Sequence, residues 1–176
     1  MNIFIDCGFY IGDALKKYLD QVDDTWTIYA FEPSPLIDCK EVIKTFGLNI
    51  KLIKKAVWTK DGEVPFWTSE RHNASHVEDT TGNAPDERMM VKSVDFSKFL
   101  SKLPEDANII CSMDIEGSEY PVLEKMLKDG TASRINLLDI EFHHRFMIDF
   151  SEVESQKLID ELEAVGVKIK LKVPLI

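Results

Sequence analysis

Cysteine is scarce and poorly placed for any shared task. The three cysteines, Cys7, Cys39 and Cys111, are odd in number, widely spaced and without a C-x-x-C pair. That argues against a disulfide framework or a thiolate zinc site, and for reduced, buried thiols in a cytoplasmic compartment. Long apolar runs are missing as well: no stretch approaches the roughly 20 residues of a membrane span. The apolar start at Ile3-Phe4-Ile5 lacks a basic flank and meets Asp6 at once, so it reads as a buried strand and not as a leader peptide. Basic charge is in deficit, with 21 Lys and Arg against 31 Asp and Glu for a net charge of −10. So acidic a chain repels phosphate backbones and anionic lipid, so neither a nucleic-acid nor a membrane partner is expected. The local basic cluster of Lys51, Lys54, Lys55 and Lys60 reads as a solvated strand edge. A Walker A motif, a G-x-G-x-x-G turn, internal repeats and low-complexity tracts are all absent.

What is present is ordinary globular material, 44% hydrophobic and 30% charged over 176 residues. A chain of this length buries roughly 70% of its unfolded surface and needs no staple. The pattern predicts strands at 2–6, 27–31, 50–58, 91–95, 108–115, 135–142 and 167–173, with a hairpin return over 63–68. Helices are expected after residue 11, after the Ser34-Pro35 start signal, and at 96–103, 119–129 and 151–165, with Gly47, Gly130 and Gly166 as stops. Residues 70–87 have no apolar periodicity and read as a long loop, so a loop and hairpin insertion is expected over about 60–92. The repeated β-α order implies one α/β domain over 1–176. Its fold is a Rossmann-like, doubly wound, mostly parallel sheet with helices on both faces.

In such sheets ligands bind at the carboxyl ends of the strands, where strand order reverses. The first strand ends in Asp6-Cys7-Gly8-Phe9-Tyr10-Ile11-Gly12, a D-x-G-x-x-x-G turn. The second ends in Phe31-Glu32-Pro33, with Glu32 24 residues after Gly8, the place of an acidic residue that accepts from ribose hydroxyls. Asp6 and Asp13 flank the first turn with no Lys or Arg between them. Two carboxylates repel a pyrophosphate but suit a cationic ligand, so S-adenosylmethionine, which carries an ammonium and a sulfonium, is preferred over NAD or ATP. Two later strands end in Asp114-Ile115-Glu116-Gly117-Ser118-Glu119 and Glu141-Phe142-His143-His144. These carboxylates and imidazoles can serve as general base, hydrogen-bond acceptors or metal ligands.

Together, Phe4-Ile5-Asp6-Cys7-Gly8, Phe31-Glu32-Pro33, Ala56-Val57, Ser93-Val94-Asp95, Asp114 to Glu119 and Ile140 to His143 resemble the FkbM-type methyltransferases, most specifically in the D-x-E-G-x-E element. The resemblance implies a Rossmann-like enzyme that uses S-adenosylmethionine to O-methylate a hydroxyl of a small molecule or sugar. It implies that Asp6, Gly8 and Gly12 border the methionine end of the cofactor. Glu32 holds the ribose with Ser34 nearby, and Ala56 and Val57 approach the adenine. Asp114 and His143 are then the candidate bases, with Glu116 and Glu141 behind them, and Arg71, His72, Ser75 and His76 as acceptor contacts. No metal ligand is assigned in this reading, although a divalent ion on Asp114 and Glu116 is a second way to activate the hydroxyl. The chain departs from the family at Phe9-Tyr10, where Ala-Asn is common and bulk can narrow the pocket. It starts at the first strand, so no N-terminal substrate cap is expected. It ends on a strand where class I methyltransferases usually add one more, and that exposed edge is a route to a homo-oligomer. Two alternatives remain: a metal-dependent hydrolase built on Asp114, Glu116, Glu141 and His143, and a non-catalytic cofactor-binding module.

Overall fold

Six parallel strands form the main sheet of the computed structural model, which describes residues 1–68, 76–77, 87–144 and 150–172. In chain order they are β1 (Asn2–Cys7), β2 (Thr27–Phe31), β3 (Ile50–Ile53), β8 (Asn108–Met113), β9 (Leu137–Ile140) and β10 (Lys168–Leu171). They lie in the order β10-β9-β8-β1-β2-β3, so strand order reverses between β1 and β8, the switch point of a doubly wound sheet. β4 (Ala56–Trp58), β5 (Gly62–Thr68), β6 (His76–Val77) and β7 (Glu87–Asp95) form a second sheet in the order β4-β7-β5-β6. The acceptor-contact residues Arg71, His72 and Ser75 lie outside the described residues.

The central strands are apolar on both sides because both faces are covered. On one face Phe4, Ile28 and Ala30 pack with Leu15 of α1 (Asp13–Lys16) and Cys39 of α2 (Cys39–Phe46). On the other, Ile3, Ile5, Ile109, Cys111 and Met113 pack with Leu100 of α3 (Phe96–Leu100). That core continues to Tyr120, Leu123 and Met126 of α4 (Glu119–Lys128) and to Leu158 and Leu162 of α5 (Glu152–Ala164). Helix α5 opens with a capping box between Ser151 and Glu154, which satisfies two otherwise orphaned backbone donors. The three cysteines are free and buried. No helix among the described residues is long and apolar enough to cross a membrane.

Four local expectations change. Ser34 does not start the second helix; Asp38 is the N-cap, accepting from Glu41 N, and α2 begins at Cys39. Ser34 is engaged elsewhere, since its N–H donates to Glu32 Oε1, its Oγ accepts from Leu36 N, and Lys54 Nζ donates to its carbonyl. The first helix is a single turn, and the chain then continues through tight turns, with Tyr18 N bonded to Leu15 O and Gln21 N to Tyr18 O. The strand expected at 50–58 divides at Lys54-Lys55 into β3 and β4, one in each sheet. The return strand β5 pairs antiparallel with β7, while β4 joins β7 in parallel. These pairings depend on a partner about 20 to 40 residues downstream, which local patterning does not reveal.

Candidate active site

The turn after β1 and the turn after β8 meet back to back at the switch point. Asp114 N donates to Cys7 O at 3.0 Å, and Gly8 adopts φ +86°. A Cβ built on Gly8 would lie 1.9 Å from the Asp114 carbonyl oxygen, so glycine is required there by contact and by conformation. Glu32, at the end of β2, ties two turns together. Its Oε2 accepts from Tyr10 N at 2.9 Å and its Oε1 from Ser34 N at 2.8 Å. Tyr10 is held at φ +46° in this arrangement, and Phe9 turns into the α1/α2 core, its ring 6.2 Å from that of Phe46.

The turn after β8 is organised by Glu119, the first residue of α4, which is fully buried. Its Oε1 accepts from Ile115 N at 2.8 Å and its Oε2 from Gly117 N at 2.7 Å. These bonds hold Glu116, between them, at φ +53°. His143, just beyond β9, donates from Nδ1 to Glu119 Oε1 at 3.0 Å. That bond fixes the ring and aims Nε2 at Glu116 Oε2 (3.4 Å), Asp114 Oδ1 (3.6 Å) and Glu141 Oε1 (3.8 Å). Lys172, just past β10, closes the group with its Nζ 3.5 Å from Asp114 Oδ2.

A cleft of about 350 Å³ opens over this arrangement. Gly8, Glu32, Asp114, Glu116, Glu141 and His143 line it from the main sheet, and Ala56, Val57, Phe66 and Val77 line it from the second. Three residues expected at the ligand lie behind its wall. Asp6 is buried below the first turn. Gly12 abuts the Phe46 ring, which a Cβ would approach to 2.5 Å, and Ser34 is buried in the loop that follows Glu32.

Residues 6–169 match the family of the methyltransferase FkbM domain. The chain belongs to the FkbM methyltransferase family. No curated protein matches it. As an FkbM protein it is a methyltransferase, and the match is to a transferase family, not to the hydrolases considered from sequence.

The electrostatics of the FkbM cleft follow from crowding carboxylates in a half-dry space. Burial, helped by the charges of Asp114, Glu119 and Glu141, pushes Glu116 up to about 8 even though His143 opposes it. Burial alone would lower His143, but the Glu119 hydrogen bond and the charges of Glu119, Glu116 and Asp114 outweigh it and raise the imidazole to about 9. Glu141 is raised by burial and by the Asp114 charge, and Glu32 by burial. Two members of the constellation escaped sequence reasoning. Lys172 falls inside the strand expected at 167–173, and only the end of β10 at Leu171 puts it at the strand edge with the other site residues. Glu119 reads locally as a helix cap because its partner His143 is 24 residues away.

Asp6 shares a sheet face with Phe4 and carries two buried oxygens without a hydrogen-bond partner. Burial raises its carboxyl from 3.8 to about 7. The folded state therefore binds the proton more tightly than the unfolded chain. The associated stability is complete below about 4 and is lost as pH rises through about 7. The Asp6→Asn variant is expected to match wild type near pH 4 and to exceed it by a few kcal/mol at pH 8, on the order of the shift converted at about 1.4 kcal/mol per unit. Urea unfolding of both proteins at the two pH values checks this, and a difference that does not grow with pH refutes it.

Proposed function

We propose that the protein transfers a methyl group from S-adenosylmethionine to a hydroxyl of a small molecule or sugar. The observation that carries this reading is the acidic cleft at the β1/β8 switch point. Asp13, Glu32, Asp114 and Glu141 line it, with Glu116 largely protonated at neutral pH, against Lys17, Lys172 and His143. Such a lining suits a cofactor with a sulfonium and an ammonium and disfavours a pyrophosphate. Each oxygen of Glu32 has a lone pair beyond the one given to a backbone amide, so the carboxylate can still accept from a ribose diol. Ala56, Val57, Phe66 and Val77 offer an apolar wall for the adenine. When bound, the sulfonium supplies an activated methyl whose C–S bonding electrons return to sulfur as it leaves.

The chain's own contribution is alignment and proton transfer. Positioning alone can provide much of the rate. The attacking oxygen must lose its proton as the C–O bond forms, and Asp114 is the residue assigned to take it. His143, raised to about 9, already carries a proton at neutral pH, so its role is to hold Asp114, Glu116 and Glu141 in register.

Calorimetric titration with S-adenosylmethionine and S-adenosylhomocysteine, with NAD as control, tests the reading. Micromolar binding of the first two and none of NAD is expected; no binding of either overturns it. Glu32→Ala should weaken S-adenosylhomocysteine by about 1–3 kcal/mol through the lost hydrogen bonds. An unchanged affinity removes Glu32 from the cofactor site. Asp114→Asn should bind S-adenosylhomocysteine as before and lower methyl transfer about 10²- to 10⁴-fold. Full transfer by that variant, measured with labelled donor, sinks the assignment.

A further inference from the structure

We propose that Asp114, Glu141 and His143 form a binding site for one divalent transition-metal ion. Each offers one ligand atom, and these atoms lie within 4.8 Å of one another. Around an ion with bonds of about 2.1 Å, neighbouring ligand atoms are about 3.0–3.4 Å apart. His143 Nε2 is 3.6 Å from Asp114 Oδ1 and 3.8 Å from Glu141 Oε1, so the imidazole meets either carboxylate after shifts of a few tenths of an ångström, and side-chain rotation of the partly exposed Asp114 and Glu141, whose ligand atoms lie within 4.8 Å of each other, completes the shell.

A second observation is independent of the carboxylates. The His143 side chain is only 7% exposed, and its only hydrogen bond to a described residue is through Nδ1 to Glu119. Nε2 is therefore a buried nitrogen aimed into the group, where it meets Glu116, Asp114 and Glu141 only as ion pairs of 3.4–3.8 Å, and a bound ion takes the place of the proton it carries in the metal-free site. A ring nitrogen tied to a carboxylate, with the opposite nitrogen facing two or three oxygens, is the outer-shell arrangement that orients a metal-binding imidazole. Glu119 is itself pinned by Ile115 N and Gly117 N, so the orientation is built into the backbone of the turn.

The mixed donor set of one imidazole and two carboxylates favours Mn²⁺ or Zn²⁺ over Mg²⁺, which prefers oxygen alone. It differs from the Asp114 and Glu116 pair considered from sequence for hydroxyl activation, it keeps three of the four ligands of the hydrolase alternative without Glu116, and it leaves Asp114 Oδ2 beside Lys172, outside the coordination shell. Glu141 and Asp114 come from neighbouring strand ends that both line the cleft, so an ion held between them would lie at the cleft wall. A hydroxyl coordinated there gives up its proton more readily, which eases the task assigned to Asp114. The inference rests on the methyl-transfer reading for this consequence and not for the existence of the site.

The test is titration of the metal-free protein with Mn²⁺, followed by loss of the free-ion electron paramagnetic resonance signal. S-adenosylhomocysteine binding is measured on the same samples. One Mn²⁺ per chain is expected. His143→Ala and Glu141→Gln should each weaken it at least about tenfold, while His144→Ala, outside the cleft, should leave it unchanged. Glu141 is partly exposed, so its variant serves if His143→Ala fails to fold. Absence of saturable Mn²⁺ binding, or binding that survives Glu141→Gln, overturns the proposal. Mn²⁺ bound without S-adenosylhomocysteine overturns the methyl-transfer reading instead, and the reverse result overturns the metal site alone.

Discussion

Replacing Gly8 by alanine is expected to abolish cofactor binding and to lower the melting temperature by about 10 °C. Two separate costs combine. The backbone sits at φ +86°, which costs a residue with a Cβ roughly 1–2 kcal/mol. The added carbon also falls 1.9 Å from the Asp114 carbonyl oxygen, and that contact cannot be relieved by a rotamer change because the obstacle is backbone. That carbonyl is pinned from both sides, by Asp114 N on Cys7 O and by Ile115 N on Glu119 Oε1, so relief requires separating the β1 and β8 turns at the switch point. A total of about 3 kcal/mol or more shifts the melting temperature by some 2–4 °C per kcal/mol at this chain length. Gly47→Ala is the control. Its φ is +65° but nothing lies within 4 Å of the added Cβ, so only the conformational cost of about 1 kcal/mol applies. Differential scanning calorimetry on the two variants separates contact from conformation. Equal effects would show that the Gly8 contact is relaxed at little cost.

The second large effect is expected at Glu119. Alanine there leaves the Ile115 and Gly117 amides and the His143 Nδ1–H without their acceptor, two of the three contacts being wholly buried. Each orphaned donor costs about 1–3 kcal/mol, and the three share one carboxylate, so their sum is less than additive. A loss of about 3–5 kcal/mol in urea unfolding is expected, the usual cost of removing one partner of a buried charged group. Glu119→Gln should fall between, since its amide retains one acceptor oxygen but presents an NH₂ to a second donor. The His143 ring loses its fixed tautomer in the alanine variant, which proton NMR of the imidazole will register as a changed chemical shift. A destabilisation below about 1 kcal/mol would mean that water replaces the carboxylate in the turn.

Much of the architecture was legible because it is local and periodic. Both-faced apolar runs such as Ile3-Phe4-Ile5 and Ile109-Ile110-Cys111 mark strands covered on two sides, and Leu158 with Leu162 marks the inward stripe of α5. Asp114, Glu116, Glu141 and His143 were legible as a group for a related reason. All follow strands of one parallel sheet, whose carboxyl ends share one edge, so spacing along the chain does not matter once the strands are placed. The failures are non-local. Ser34 carries a strong cap signal, yet Glu32 and Lys54 recruit its backbone. The break at Lys54-Lys55 sends one apolar run into two sheets, a choice fixed by pairing with β7.

The sequence by itself determined the element order, the parallel sheet and the identity of the acidic residues at its edge, because burial pattern and glycine placement are properties of short segments. The tertiary structure alone decided which of those residues act together. Glu119 became an anchor when β9 brought His143 against it. Lys172 joined the site when β10 paired with β9, and Asp6 was left under the cleft when α1 closed over its face. Each outcome follows from distance in space between residues far apart in the chain, and from the cost of leaving a buried charge without a partner.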